Sequence, residues 1–405
     1  MAVDERSLER VVAGVVDTEL DLPLGEAGMV RSVVARRRRT EIVLALPVVP
    51  WPGVDDLRRR VAEAASGVPG AGEVVVDVAA MSDPGRDALR ARLRRAMAGA
   101  GAPTAGGDPG NRQEVQGHAG HAHGAQGRGT QDRGAQDRQV PSFLQPGSKT
   151  RVVGISSGKG GVGKSSVTVN LAIALAKAGQ RVGILDADVY GFSVPKMVGA
   201  DHDPVVIGDT VVPALCHGVR VLSMGFFVPD DTPVIWRGPM LHKALAQFLD
   251  DAYWGDPDVL LVDMPPGTGD VTLSLAQYMA RAEVLVVTTP QPAAQRVAQR
   301  SAFAARKLKL SVRGVIENMS WFTGDDGTRY ELFGRGGGQA LAEDLGVPLL
   351  GQVPLVPALR EGGDEGVPVA LRDPGGEAAA AFDALAAALV AMGPARVYRR
   401  ELSLR

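Results

Sequence analysis

A chain of 405 residues is too long for one ordinary core, so two domains are expected, and 45% hydrophobic with 22% charged residues is the composition of a soluble globular protein. The net charge of -2 gives no global attraction to nucleic acid or to an anionic membrane. A single cysteine, Cys216, excludes an intrachain disulfide and any two- or four-cysteine metal site within one chain.

The opening MAVDERSLER is charged and carries no apolar stretch of signal-peptide length. No apolar run reaches the roughly 18 to 20 residues that span a bilayer, so a cytoplasmic protein is expected. Residues 1–97 read as a small α+β unit. Apolar periodicity predicts a helix near Leu8 to Val16, strands over Val30 to Ala35 and Glu41 to Leu46, a helix over Asp55 to Ala65 and a strand over Glu73 to Val78. The run Arg36 to Arg39 reads as a solvated hairpin turn, with contact to an acidic partner as the alternative. Residues 98–148 are rich in Gly, Gln, Arg and Asp and nearly free of large apolar side chains, which predicts a flexible linker. His118, His121 and His123 lie in it and offer only a weak metal site.

Residues 149–395 alternate strand and helix signals. Strands are predicted over Arg151 to Ile155, Gln180 to Leu185, Val259 to Val262, Val284 to Thr288, Arg313 to Ile316 and Pro348 to Val353. Helices are predicted over Lys164 to Ala178, Met240 to Asp250 and Gly337 to Leu345. The fold class is α/β, a mostly parallel doubly wound sheet, with the small α+β domain in front of it. Residues 396–405 form a basic C-terminal tail.

Between the first strand and first helix of this second unit stands GKGGVGKS, Gly158 to Ser165, which fits G-x-x-x-x-G-K-[ST] in the strand–loop–helix context that phosphate binding requires. Gly158, Lys159, Gly160, Gly161, Val162, Gly163, Lys164, Ser165 and Ser166 are therefore the candidate ATP cradle. Backbone amides and the helix N-terminus supply positive potential, Lys164 the β- and γ-phosphate contact, and Ser165 a Mg²⁺ ligand. Asp263, at the end of LLVD, suits the Mg²⁺ shell, and Asp186 and Asp188, in ILDADVYG, end another strand where a carboxylate can orient an attacking water.

These motifs, with VLSMGF, VIWRGPMLHKAL, LLVDMPPGTGDVTLSL, VTTPQPAA, IENMSWF, FGRGGGQALAEDLGVPLLGQVPL and REGGDEGVPV, resemble the deviant P-loop ATPases of the septum-site and partitioning superfamily, and within it the Mrp/ApbC iron–sulfur cluster carriers. DTELDLPLGEAGMV and VVVDVAAMS resemble the small N-terminal domain that many of those carriers possess. The resemblance implies an ATP-hydrolysing homodimer closed around nucleotide, with Lys159 reaching the partner's phosphates, where it would act like an arginine finger; a solvent-facing lysine is the alternative. It implies that Asn318 bonds the adenine edge, that Asp188 orients water beside Asp186, that Thr268 and Asp270 lie on a γ-phosphate-sensing switch, and that Gly362 to Pro368 help close the nucleoside pocket.

One departure concerns the cargo. The family's C-x-x-C after ENMS is missing, since no cysteine lies between Ser320 and Gly334, and the N-terminal LPVVPWPG lacks one too. Fe–S clusters want soft thiolates, typically four. Cys216, in an apolar run near the end of a strand, reads as a core residue, and His217 beside it would point to the opposite face. Asp325 and Asp326 are hard donors in what reads as a turn. The cluster ligands are thus unassigned. The expected function is cluster binding, transfer or assembly for apoproteins, without nucleic acid or membrane. The alternatives are an ATP-switched positioning dimer on membrane or DNA, for which the tail ARVYRRELSLR is short of large apolar residues, and a scaffold without cluster binding.

Overall fold

The computed structural model describes residues 5–36, 39–98, 148–188, 191–227, 238–267 and 281–393, together with positions 273, 276, 278 and 279. Residues 99–147 of the predicted linker, its histidines and the C-terminal tail lie outside the described residues, as do Thr268 and Asp270.

In the N-terminal unit, α1 (Glu5–Gly14) buries Leu8 and Val12, one turn apart on one face. A short pair, β1 (Val16–Asp17) and β2 (Leu22–Pro23), leads into α2 (Leu24–Ala27). Strands β3 (Val30–Arg36) and β4 (Arg39–Leu46) form an antiparallel pair whose last register is Arg36 opposite Arg39, and Arg37 and Arg38 of the arginine run lie outside the described residues. The crossover helix α3 (Val54–Ser66) buries Leu57, Val61 and Ala65, and β5 (Glu73–Ala80) returns parallel to β4. A further helix, α4 (Asp83–Ala98), follows where the sequence reading placed none. It packs Leu89, Leu93 and Met97, a narrow stripe among arginines.

The second unit contains β6 (Arg151–Ser157), α5 (Lys164–Lys177), β7 (Val182–Asp186), α6 (Val194–Met197), the hairpin β8 (Val205–Ile207) and β9 (Thr210–Val212), then β10 (Ala214–Cys216) and β11 (Val219–Ser223). It continues through α7 (Gly238–Asp250), β12 (Val259–Asp263), β13 (Glu283–Thr288), α8 (Pro292–Lys307), β14 (Ser311–Asn318), the small hairpin β15 (Phe322–Thr323) and β16 (Arg329–Tyr330), and α9 (Gly337–Leu345). It ends with β17 (Leu349–Val353), α10 (Pro357–Glu365), α11 (Val369–Arg372) and α12 (Glu377–Met392). Among the described residues the large sheet has eight strands in the order β10-β11-β7-β12-β6-β13-β14-β17. All its pairings are parallel except that of β10 with β11.

The sheet is covered on both faces, as a doubly wound α/β fold requires. Along β12, Leu260 and Val262 enter one apolar cluster and Leu261 enters the other, the alternation a pleated strand imposes. Helix α5 is buried almost all round between Val167 and Leu175, which marks a core helix rather than a surface one. The strand order sets the site. β6 lies between β12 and β13, so the glycine loop leaves the centre of the sheet. Asp263 sits beside Ile155 on one side and Asp186 on the other, bringing both carboxylates to the carboxyl edge next to that loop.

Candidate nucleotide site

The loop from Gly158 to Gly163 needs its glycines for stated reasons. Gly163 adopts φ +78°, a left-handed conformation, and a Cβ there would lie 2.2 Å from Asn318 Nδ2. At Gly158 a Cβ would lie 2.3 Å from the backbone of Val297 and Ala298 on α8. The loop is thus pressed between α8 and the end of β14 and opens on a concavity of about 300 Å³ lined by Lys159 to Ser166. Asp188, Ser193, Met197 and Pro266 complete the wall. Gly163 caps α5, so the helix N-terminus faces the concavity.

Lys164 is nearly buried, with Nζ 2.7 Å from Asp263 Oδ2 and 3.6 Å from Asp188 Oδ2. Ser165 Oγ donates to Asp263 Oδ2 at 2.5 Å, and Thr168 Oγ1 donates to Asp263 Oδ1 at 2.8 Å. Asp263 is therefore held by both hydroxyls and the ammonium. Asp186 is fully buried and accepts from Ser223 Oγ at 3.0 Å and from the amides of Asp188 and Val194. Burial, and then the neighbouring Asp263 charge, pushes the Asp186 carboxyl up to about 7. Burial also raises Asp188, against the opposing pull of Lys164. The two aspartates separate by environment: Asp188 lines the concavity and Asp186 supports it from beneath.

Lys159 stands exposed at the rim. Asn318 is buried, its Nδ2 donates to the Val162 carbonyl at 2.9 Å, and its Oδ1 has no partner. It therefore braces the loop from behind. Gly362 and Gly366 lie in and just after α10, which packs on α6; a Cβ on Gly366 would strike Gly199, and Gly363 faces Met197. Sequence reasoning missed Thr168 and Ser223. Thr168 had a signal, one turn beyond Lys164 on the same helix face. Ser223 had none, because its role arises from the β11–β7 register that sets Ser223 against Asp186.

A family model described as an NUBPL iron-transfer P-loop NTPase matches residues 148–390, and one described as an iron-sulfur cluster assembly protein matches residues 5–78. The chain belongs to the NUBPL iron-transfer P-loop NTPase family. An iron-sulfur cluster carrier protein of Mycobacterium leprae is 43% identical over 91% of this chain and 88% of its own length. One of Synechocystis is 46% identical over 61% of this chain and 72% of its own length. The chain is also similar to a nucleotide-binding protein of Archaeoglobus fulgidus solved with ADP, with 32% identity, a TM-score of 0.50, and coverage of 58% of this chain and 93% of that one.

In this NUBPL-family chain the segment after Asn318 forms the β15–β16 hairpin. Glu377, at the start of α12, accepts from Trp321 Nε1 at 2.6 Å, Thr323 Oγ1 at 2.9 Å and the Arg329 guanidinium at 3.0 Å, while Arg329 lies 4.5 Å over the Trp321 ring. Asp326 turns the hairpin by accepting from Thr328. Cys216 ends β10, as its apolar context suggested, and is buried. Burial, with Asp201 and Glu19 nearby, pushes its thiol up to about 12, so it is a neutral thiol at ordinary pH. The expected alternation with His217 fails, because His217 leaves the strand at φ 52° in the turn between β10 and β11. Among the described residues no group of three or more His, Cys, Asp and Glu side chains is placed to hold a metal ion, and no helix is long and apolar enough to cross a membrane.

Proposed function

We propose that the protein is an ATP-hydrolysing homodimer that delivers iron–sulfur clusters to apoproteins or assists their assembly. The observation that carries the engine is the Lys164–Asp263–Ser165 contact at the mouth of the glycine loop, with Asp188 in the same wall. The family and the similar proteins named as carriers support the cargo. The residues fit Mg²⁺ and ATP. Ser165 and Asp263 would hold the metal, which supplies charge neutralisation between phosphates when bound. Lys164 turns from its carboxylates to the phosphates, Asp188 orients the attacking water, and Lys159 completes the site of the second subunit. Asn318 is assigned to the adenine edge by the family resemblance; its Oδ1 is buried and unpartnered behind the loop.

The cluster is substrate here. The described residues offer it no thiolate set, so either other ligands hold it or partners hold it while this chain supplies the ATP-driven cycle. The test is anaerobic: the full chain, a cluster-loaded donor and an iron–sulfur apoenzyme are mixed with ATP or ADP, and both phosphate release and enzyme activation are followed. ATP-dependent activation lost in Lys164→Ala supports the reading. Activation equal with ATP, ADP and no protein sinks the carrier role, and absence of phosphate release sinks hydrolysis.

A further inference from the structure

The N-terminal unit is seated on the β8–β9 hairpin and the loop after α7, and reaches the large sheet at Arg220 of β11. Val205, Ile207, Val212 and Tyr253 of the second unit join the same buried apolar cluster as Leu20, Met81 and Leu89 of the first. Polar contacts pin this seat. Arg220, the second residue of β11 and 8% exposed, donates to the Glu19 backbone carbonyl at 2.6 Å and lies 5.7 Å over the Tyr253 ring. Arg94 of α4 reaches Asp251 at 3.0 Å and Asp209 at 3.2 Å. The ionic part of the seat is incomplete: Glu19 is buried, its Oε2 has no partner, and His202 stands 3.7 Å from its Oε1. A buried carboxylate left short of donors weakens a contact and lets it open.

The same strand carries the seat and a nucleotide-site support. Three residues beyond Arg220, Ser223 ends β11 and donates to Asp186, and β11 runs in register with β7, pairing Arg220 with Gly183 and Ser223 with Asp186. Gly183 is packed against Trp254, the neighbour of Tyr253. A parallel strand pair is stiff along its length, so movement of the seat moves Ser223.

We propose that the N-terminal unit is a nucleotide-responsive latch on β11, with Ser223 as the positioning residue that couples Arg220 in the seat to Asp186 beneath the phosphate site. This rests on the nucleotide-binding reading above. A triphosphate that draws Lys164 to its phosphates, with Mg²⁺ taking the place of the ammonium beside Asp263, changes the cations facing Asp186, and this alters its hold on Ser223 and, through the β11–β7 register, the seat. By reciprocity, nucleotide then sets the docked fraction.

The test uses the full chain with spin labels at Glu9→Cys and Lys307→Cys, both exposed on helices of the two units, while native Cys216 stays buried. Pulsed distance measurement is made with no nucleotide, with Mg-ADP and with the magnesium complex of adenosine 5′-(β,γ-imido)triphosphate. Expected is one narrow distance without nucleotide and with ADP, and at least a twofold rise in the undocked fraction with the triphosphate. Arg94→Ala, a surface change, raises the undocked fraction without nucleotide, and Arg220→Ala raises it further. Ser223→Ala abolishes the response to the triphosphate, and Ser223→Thr restores it. Identical distributions in the three nucleotide states, with saturable binding of a fluorescent ATP analogue, overturn the latch. An unchanged distance in Arg94→Ala overturns the seat. Absence of saturable nucleotide binding fails the nucleotide reading instead, and separates the two.

Discussion

Replacing Gly163 by alanine tests whether the loop's shape, rather than its charge, sets nucleotide affinity. Gly163 sits at φ +78°, and its added Cβ would lie 2.2 Å from Asn318 Nδ2. The left-handed conformation costs a residue with Cβ roughly 1–2 kcal/mol. Relieving the clash moves Asn318 and breaks its 2.9 Å bond to the Val162 carbonyl, which costs about 1 kcal/mol more. If the loop relaxes and must be forced back to cradle phosphate, the sum of roughly 2–3 kcal/mol is lost from binding, a fall of about 30- to 150-fold. Titration of the full chain with a fluorescent ATP analogue and Mg²⁺ reads this directly. Pairing the change with Asn318→Ala removes the clash and leaves the conformational strain. The double variant should therefore fall short of additivity by about 1 kcal/mol. Affinity within threefold of the parent in Gly163→Ala, or strict additivity in the cycle, would refute the reasoning.

Lys159→Ala should lower kcat by about 10³ while the Kd for ATP moves only a few-fold, if the lysine acts across a dimer; single-turnover phosphate release checks it, and unchanged kcat removes the role. Asp186, held at about 7 by burial beside Asp263, keeps its proton in the folded state where the unfolded chain has lost it. Its contribution is fully present below about pH 4 and is lost as pH rises to about 7, a loss of a few kcal/mol that Asp186→Asn should flatten in hydrogen-exchange profiles of β7. Cys216, with its thiol pushed up to about 12, should react with iodoacetamide at pH 8 orders of magnitude more slowly in the native protein than in urea, by mass-spectrometric quench.

The parallel core was legible because each inner strand is a continuous apolar run and the glycine loop marks the first crossover. The strand order was not, since it depends on contacts remote in sequence. Elements that escaped share physical causes. The stripe Leu89, Leu93 and Met97 of α4 is interrupted by arginines, so its periodicity is faint. The hairpin strands are two or three residues long, too short for any alternation to register. At the site, Asp186 and Asp188 share one motif and one strand end, and only burial separates the support from the wall residue. Asn318 shows a second limit of sequence reading: the resemblance gives it an adenine contact, whereas the structure also makes it the brace of the loop that contacts phosphate.

The brace and the hairpin that follows it bear on the cargo. The family resemblance implies a C-x-x-C just after Asn318, which this chain lacks. Here Trp321, Thr323 and Arg329 all converge on one carboxylate, Glu377, and the arginine stacks on the tryptophan. A loop that ligates metal needs donors free to turn toward the ion, whereas these side chains are committed to closing a hairpin. Replacing the missing cysteines alone would therefore leave a segment whose geometry is set by Glu377. Thr323→Cys introduces a thiol but removes one of the donors to that carboxylate, and Glu377→Gln loosens the remaining two. On this reasoning Thr323→Cys with Asp326→Cys, which give a dimer the four thiolates a cluster wants, install ligation only together with Glu377→Gln, with the gain read as acid-labile sulfide retained after anaerobic reconstitution. Retention by the parent chain itself would show that the hairpin never was the constraint.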